Sequence, residues 1–250
     1  MLSLLHRMGE HVLRYEDRPG AFAGGMCPYK LMWLVLAGSL LGCLVEMCWY
    51  RHLRGKWMSR KGVIYGPFSP IYGVALAGFL YLFYPMRERT ILFLFFAGTL
   101  IGSAFEYACG YLQEKILGTK SWDYSKKKFQ LHGRICLEFA VYWGIAAVAA
   151  VRLVYPVLSR VVESFSQRRG PFIVGGLFVL FLADCLISIA ACVRQRLRRE
   201  GKEAVTAWEQ FLDRHYPDER LAELFTEIRI AADSQFDPET DLETELSENN

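Results

Sequence analysis

The sequence predicts an all-α polytopic membrane protein: a helical bundle of about five transmembrane helices, arranged as two parallel two-helix repeats plus one, with a small cytoplasmic helical hairpin. Five long runs of the 250-residue chain are almost free of charge, and about 20 mostly apolar residues cross a bilayer as a helix. Lys and Arg cluster between these runs, and two of the runs share a ten-residue pattern. The runs and the hydrophobic fraction of 53% exclude a soluble globule, a disulfide-stapled secreted domain and a disordered chain.

Residues 1–30 are expected to form an interfacial segment that precedes a transmembrane domain of residues 31–193. Apolar and charged positions alternate over residues 1–18, which is typical of an amphipathic helix lying on a membrane. The apolar stretch at its start is too short for a cleavable signal peptide. The first span, Leu31–Tyr50, contains a single charged residue, Glu46.

The second uncharged run, residues 62–86, opens with a segment rich in proline and glycine. This composition disfavours a continuous helix. We therefore predict a half-buried extended stretch, Tyr65–Ser69, and a helix that begins near Pro70 and offers free N–H groups to an anion. A simple turn at the membrane interface explains the same residues. Irregular backbone at membrane depth must lie against protein or a wet cavity, and Tyr65 and Tyr72 are candidate binding residues there.

Three further apolar runs complete the predicted transmembrane domain, and each contains one acid. They are Thr90–Leu112 with Glu106, Ile135–Val151 with Glu138, and Phe172–Val193 with Asp184. The middle run is short, and we count it as a span because residues 153–158 extend it past Arg152. A carboxylate in hydrocarbon costs roughly 2.5–3.5 kcal/mol on insertion scales. These acids and Glu46 are therefore expected to face the bundle interior or water.

Residues 37–46 and 97–106 form a sequence repeat that ends in an acid. The first copy is A-G-S-L-L-G-C-L-V-E and the second is A-G-T-L-I-G-S-A-F-E. Each contains a GxxxG pattern, which lets helix backbones approach closely in lipid. One span separates the copies, so they run in the same direction. Glu46 and Glu106 are expected to line a polar pocket in the inner leaflet, for a cation, a proton relay or a polar substrate; alternatively, they only hold the bundle together.

The loop after the third span is rich in aromatic and charged residues. Its candidate binding residues are Trp122, Asp123, Tyr124, His132 and Arg134. Taken singly, such residues suit an interfacial aromatic belt and anionic headgroups. Arg134 and Glu138 are four positions apart and can pair along one helix face.

The N-terminus is expected to lie outside and the C-terminus in the cytoplasm of a cell-membrane protein. Loops on the C-terminal side carry sixteen Lys and Arg against ten on the other side, and the cytoplasmic side holds the excess. Four arginines within residues 194–199 anchor the last span at its membrane end. Residues 194–232 are predicted to form two amphipathic helices with a turn at 215–217, and residues 233–250 a disordered acidic tail.

The sequence predicts no catalytic, metal or cofactor site. The seven cysteines include no CxxC pair, which favours small apolar filler over a disulfide framework or a zinc site. The basic residues flank spans and form no soluble patch, which argues against nucleic-acid binding. The lipid bilayer is the expected partner, and a homo-oligomer is left open.

Three strings taken together resemble a known family. Y-G-P-F-S-P-I-Y-G at 65–73, W-D-Y-S at 122–125 and G-R-I-C-L at 133–137 are similar to the bacterial putative ABC-transporter permease family, also labelled type IV. The resemblance covers roughly residues 32–158. Family members usually carry an Asn-containing stretch where this chain has Gln130–His132. The resemblance implies the membrane subunit of a transporter and brings no substrate and no catalytic residue.

The resemblance also implies an ATPase on a separate polypeptide, because the sequence contains no G-x-x-x-x-G-K-[ST] loop. The basic loops 51–61 and 113–134 are the surface expected to receive it. Two other functions stay open: a scaffold whose polar residues only fix packing, and a membrane-embedded enzyme acting on a lipid headgroup. In such an enzyme the acid or base would be Glu46, Glu106 or Asp123, and the phosphate would be held by His132 and Arg134.

Overall fold

The structure, a computed structural model, describes residues 20–55, 57–225 and 229–230. Helix dominates this part of the chain, which confirms the all-α membrane bundle. The amphipathic helix expected over residues 1–18 and the acidic tail expected over residues 233–250 lie outside the described residues. The domain boundaries given above stay predictions.

The helices follow one another along the chain with short connections. They are α1 (Pro28–Arg54), α2 (Pro70–Phe83), α3 (Ile91–Leu117), α4 (Leu137–Ala149), α5 (Tyr155–Glu163), α6 (Gly170–Arg199), α7 (Ala207–His215) and α8 (Asp218–Leu224). A 3-10 turn, Tyr84–Met86, extends α2, and a π-helical turn, Ala150–Val154, joins α4 to α5. Four two-residue strands were not predicted; they form two antiparallel pairs, Thr119–Lys120 with Arg229–Ile230 and Gln130–Leu131 with Ile135–Cys136.

Four helical segments of the described chain are long and apolar enough to cross a membrane. They are Pro28–His52, Ile91–Leu117, Leu137–Glu163 and Gly170–Arg199. The third confirms that the short run around Glu138 continues past Arg152. The second apolar run was expected to be one of five full spans. Its helix in the structure is shorter, Pro70–Met86. Pro67 and Pro70 lack the N–H that a helix interior requires, so the helix cannot begin earlier.

Helix α2 begins at Pro70, as predicted. The segment before it is a closed loop instead of the predicted extended stretch. The Gly62 N–H donates to the Phe68 carbonyl at 2.8 Å, and the Ser69 N–H donates to the Ser39 carbonyl of α1 at 2.9 Å. We call residues 62–69 the proline loop. Its shape follows from its surroundings, because backbone N–H groups away from water must find partners within the protein.

Helices α1 and α2 form one close pair and helices α3 and α4 form another, and the predicted GxxxG glycines lie in both contacts. A Cβ on Gly42 would lie 2.3 Å from the Tyr72 side chain, and a Cβ on Gly102 would lie 2.6 Å from the Trp143 side chain. Larger side chains at these positions would therefore push the helices apart. The sequence pattern thus marks helix contacts in both copies.

Helices α7 and α8 form the predicted hairpin, and the hairpin folds back onto α6. Its apolar side joins a buried cluster made of Ile64, Ala191, Leu212, Tyr216, Leu221 and Phe225. Arg194 of α6 donates to both carboxylate oxygens of Asp213, each at 2.9 Å, and Arg198 bridges Asp213 and Asp218. The arginines predicted to anchor the last span to the membrane hold the hairpin to α6 in the structure.

Replacing Asp213 with asparagine should make the hairpin contact less sensitive to acid. Hydrogen bonds from Arg194, and then from Arg198, hold the pKa of Asp213 below its ordinary value. A depressed pKa contributes stability above the unfolded-state pKa of about 3.9, and this stability is lost as the pH falls through the folded-state value. We expect Asp213→Asn to lower the melting temperature at neutral pH and the difference from wild type to shrink below about pH 4. A difference that stays constant with pH would contradict this account.

Candidate functional site

The Glu46 carboxylate lies where α1 meets the start of α2. The Tyr72 hydroxyl donates to Glu46 Oε1 at 2.7 Å. Arg60, which is itself largely buried, places Nε 3.7 Å from Glu46 Oε2, and its guanidinium stacks 3.8 Å from the centroid of the Tyr50 ring. Glu46 is therefore held by one neutral donor and one cation.

The Glu106 carboxylate is buried between α3 and α4, with 6% of the residue exposed. The Tyr124 hydroxyl donates to Oε1 at 2.9 Å, and the Trp143 indole Nε1–H donates to Oε2 at 2.8 Å. Each oxygen therefore has an aromatic donor, which offsets much of the cost of burying the carboxylate.

The two repeat copies make matching contacts with their partner helices. Gly42 of α1 contacts Tyr72, and Gly102 of α3 contacts Trp143; in each case the aromatic residue also donates to the acid of the same copy. Each of these aromatic residues precedes a glycine, and a Cβ on that glycine would collide with the hydroxyl residue of the copy. For Gly73 the collision is with Ser39 Oγ at 2.1 Å, and for Gly144 it is with Thr99 Oγ1 at 2.4 Å. Ser39 and Thr99 are the third residues of their copies.

Aromatic side chains connect the surroundings of the two acids. Phe79 of α2 lies 5.6 Å from Trp143 between ring centroids, and Trp143 donates to Glu106. Tyr72 of the same helix α2 donates to Glu46. We call Glu46, Glu106 and their three aromatic donors the acid cluster, and the polar pocket expected around the two acids stays a prediction.

The aromatic donors of this cluster were not predicted as partners of the acids. Tyr72 and Tyr124 were candidates only through their loop motifs, and Trp143 was not a candidate. A usable signal was present: each partner helix contains one aromatic–glycine dipeptide, Tyr72–Gly73 in α2 and Trp143–Gly144 in α4.

The loop between α3 and α4 presents Tyr124 to the cluster and folds its other residues away from it. Tyr124 stacks on Phe139 with 4.5 Å between ring centroids. Burial, and then the charge of Glu106, raise the pKa of the Tyr124 hydroxyl, so it stays a proton donor. Asp123 instead caps its own loop: burial opposes its ionisation, but hydrogen bonds from Ser125 and Lys120 lower its pKa.

The remaining loop candidates surround a small cleft outside the cluster. Its lining includes Lys120, Trp122, His132 and Arg134. The Trp122 Nε1–H donates to the Arg134 carbonyl at 3.0 Å, and His132 Nδ1 lies 3.0 Å from the Tyr107 hydroxyl. These residues do not meet Glu46 or Glu106.

The expected pairing of Arg134 with Glu138 is wrong. Arg134 donates from Nη2 to Glu114 of α3 at 2.7 Å. Glu138 is half-exposed and lies 3.7 Å from the Lys127 ammonium. The physical reason is that α4 begins at Leu137, so Arg134 precedes the helix and the spacing of four residues does not place the two side chains on one helix face.

Asp184 lies apart from the acid cluster and binds the proline loop. Its carboxylate accepts the backbone N–H of Tyr65 at 3.1 Å and that of Gly66 at 2.7 Å. One turn later, the Ser188 hydroxyl accepts the Ile64 N–H at 2.9 Å. The Tyr65 side chain points elsewhere and meets the Tyr216 hydroxyl at 2.6 Å. Asp184 lies near the middle of α6 and binds irregular backbone at that position. These contacts favour a loop held against the bundle over the alternative of a simple turn at the membrane interface.

A buried ion pair near the start of α1 was also missed. The Lys30 ammonium is fully buried, contacts the Glu163 carboxylate at 2.5 Å and donates to the Ser159 hydroxyl at 2.9 Å. Lys30 was expected only to flank a span as one of its basic residues. The signal that could have identified the pair is a lysine at the start of one apolar helix and a glutamate at the end of another.

The fold and the cluster define a class of protein: a multi-pass helical membrane protein with acids held between its helices. The chain belongs to the family described as "Putative ABC-transporter type IV", which matches residues 32–189. The match extends beyond the expected residue 158 and includes much of α6. No curated protein and no solved structure matches the chain.

Proposed function

We propose that the chain is the permease subunit of an ABC-type transporter in the cell membrane, with its C-terminus in the cytoplasm, working with an ATPase made as a separate polypeptide. The observation that carries the proposal, beside family membership, is the cluster around Glu46 and Glu106. Two acids at matching positions each receive a hydrogen bond from an aromatic side chain of the partner helix. Buried acids inside transmembrane bundles most often serve ion or substrate pathways.

We infer that the helix pairs α1–α2 and α3–α4 are internal repeats related in structure as well as in sequence. The shared glycine, hydroxyl, aromatic and acid positions support this relation. Parallel repeats in transporters place the substrate site at the interface between repeats. The contact of Phe79 with Trp143 lies between the two pairs, and Tyr72 and Trp143, the donors to Glu46 and Glu106, belong to the two helices that make it.

A scaffold is the second candidate function, and one observation favours it. Both oxygens of Glu106 are satisfied by the chain itself, and Asp184 is used to bind backbone. Satisfied acids fit a packing role as well as a transport role. A lipid-headgroup enzyme has weaker support, because Asp123 is engaged by Ser125 and Lys120 and lies apart from the acid cluster.

The subunit proposal is tested by affinity purification of the full chain from native membranes. We expect a co-purifying polypeptide that contains a G-x-x-x-x-G-K-[ST] loop and hydrolyses ATP. Purification without an ATPase would contradict the proposal and favour the scaffold. Turnover of phospholipid by the chain alone would favour the enzyme.

Glu106→Gln and Glu46→Gln should reduce ATP hydrolysis by the purified complex to background while the protein still accumulates in the membrane. Glutamine keeps the shape, but its amide N–H₂ cannot accept a hydrogen bond and carries no charge. Glu88→Gln is the control, because that side chain is 75% exposed in the turn before α3. Loss of accumulation in the two test variants, with normal ATP hydrolysis by the complex that remains, would mean that the two acids only hold the bundle together.

A further inference from the structure

The hairpin of α7 and α8 is fixed to α6 at the depth where that helix leaves the membrane. No charged residue occurs in α6 between Asp184 and Arg194. Arg194 is therefore the first charge after the apolar part of the span, and such a residue marks the edge of the hydrocarbon. Because Asp213 of α7 lies 2.9 Å from Arg194, the end of α7 sits at that edge.

Other contacts place the hairpin against span residues deeper than Arg194. The cluster that holds Leu212 and Tyr216 also includes Ala191, and Ile187 and Ala190 pack against it. The Tyr216 hydroxyl reaches Tyr65 in the proline loop at 2.6 Å. The hairpin therefore reaches toward the bilayer and does not project into water.

One face of α7 carries large apolar side chains that the described part of the protein leaves uncovered. Trp208 and Phe211 stack with 5.4 Å between ring centroids and are 52% and 41% exposed. Val205, just before the helix, is 85% exposed. Leu212, one turn after Trp208, is buried against α6. Trp and Tyr side chains are enriched at the membrane–water interface, where one end of the side chain contacts apolar chains and the other contacts water.

We propose that α7 lies in the headgroup region of the bilayer and that Trp208, Phe211 and Val205 contact lipid. The contacts with Arg194 and with the proline loop place α7 at the depth of the headgroups. At that depth lipid, and not a partner protein from the aqueous phase, surrounds the exposed face of α7. In this position the hairpin covers the proline loop on the side that faces the headgroups. The proposal rests on the multi-pass topology and is independent of transport or of an ATPase.

The test compares wild type and Trp208→Phe as full-length protein in nanodiscs of phosphatidylcholine. The lipid is brominated on the acyl chain near the headgroup in one sample and unbrominated in the other. The emission that disappears in Trp208→Phe belongs to Trp208. We expect bromine to quench most of this emission and aqueous iodide to leave it nearly unchanged. Trp33→Phe is the control, since Trp33 stacks on Phe165 inside the fold with 4.9 Å between ring centroids, and bromine should affect its emission much less.

Two outcomes would overturn the proposal. Quenching by iodide and not by bromine places the face of α7 in water, where a cytoplasmic partner could bind it. Quenching by neither reagent means that protein covers the face, either residues 231–250 of this chain or a second copy. Val205→Cys with a nitroxide label gives an independent depth from the relative access of oxygen and nickel, measured as the difference from labelled wild type.

Discussion

Replacing Gly73 with alanine is expected to destabilise the protein by about 3 kcal/mol, the upper range for overpacking a tight contact. A Cβ at this position would lie 2.1 Å from Ser39 Oγ and 2.2 Å from the Val35 carbonyl oxygen. The carbonyl belongs to the backbone of α1 and cannot rotate away, so the two helices must separate. A separation would also move the Tyr72 hydroxyl away from Glu46.

The control for this prediction lies in the same helix. A Cβ on Gly78 would have no neighbouring atom within 4 Å, so Gly78→Ala should be neutral or should stabilise by up to about 1 kcal/mol through helix propensity. Gly144→Ala should resemble Gly73→Ala, because its Cβ would meet Thr99 Oγ1 at 2.4 Å. Denaturant unfolding in detergent micelles measures all three. Equal stabilities for Gly73→Ala and Gly78→Ala would show that the α1–α2 contact is looser than described.

Asp184→Ala is the second substitution with a large expected effect, a destabilisation of about 2–5 kcal/mol. It removes the acceptor for the Tyr65 and Gly66 N–H groups, and each buried donor left without a partner costs about 1–3 kcal/mol. The proline loop should then open locally before the rest of the bundle unfolds. Hydrogen exchange in micelles should show faster exchange of these two amides.

Asp184→Asn separates hydrogen bonding from the loss of the side chain. Asparagine keeps one acceptor oxygen, so we expect an effect between those of wild type and Asp184→Ala. Unchanged exchange at Tyr65 and Gly66 in the alanine variant would mean that Ser188 and the packing of Ile64 hold the loop without Asp184.

The parts of the fold that could be predicted are those set by local sequence. Charge-free runs indicated the spans, prolines indicated the start of α2 at Pro70, and apolar spacing indicated the hairpin with its turn before Pro217. Each of these depends on residues within a few turns of one another. The helix of the second run is shorter than a full span for an equally local reason, because two prolines delay its start.

The site could be predicted only in part, because its chemistry depends on which distant residues meet. The acids were identified, but their donors are 26 and 37 positions away for Glu46–Tyr72 and Glu106–Trp143. The loop between α3 and α4 redirected Arg134 to Glu114, which no spacing rule could indicate. The Lys30 and Glu163 side chains, 133 positions apart, meet only once the bundle has formed.

The contacts of Arg194 and Arg198 have a consequence for biosynthesis. A chain is made from its N-terminus, so both arginines emerge from the ribosome before Asp213 and Asp218 do. During that interval they are unneutralised charges, available to retain the end of α6 on one side of the membrane as insertion proceeds. Once Asp213 and Asp218 have emerged, they pair with the same guanidinium groups and hold the hairpin to α6. The same two arginines are thus available first as charges beside the last span and then as partners of the hairpin.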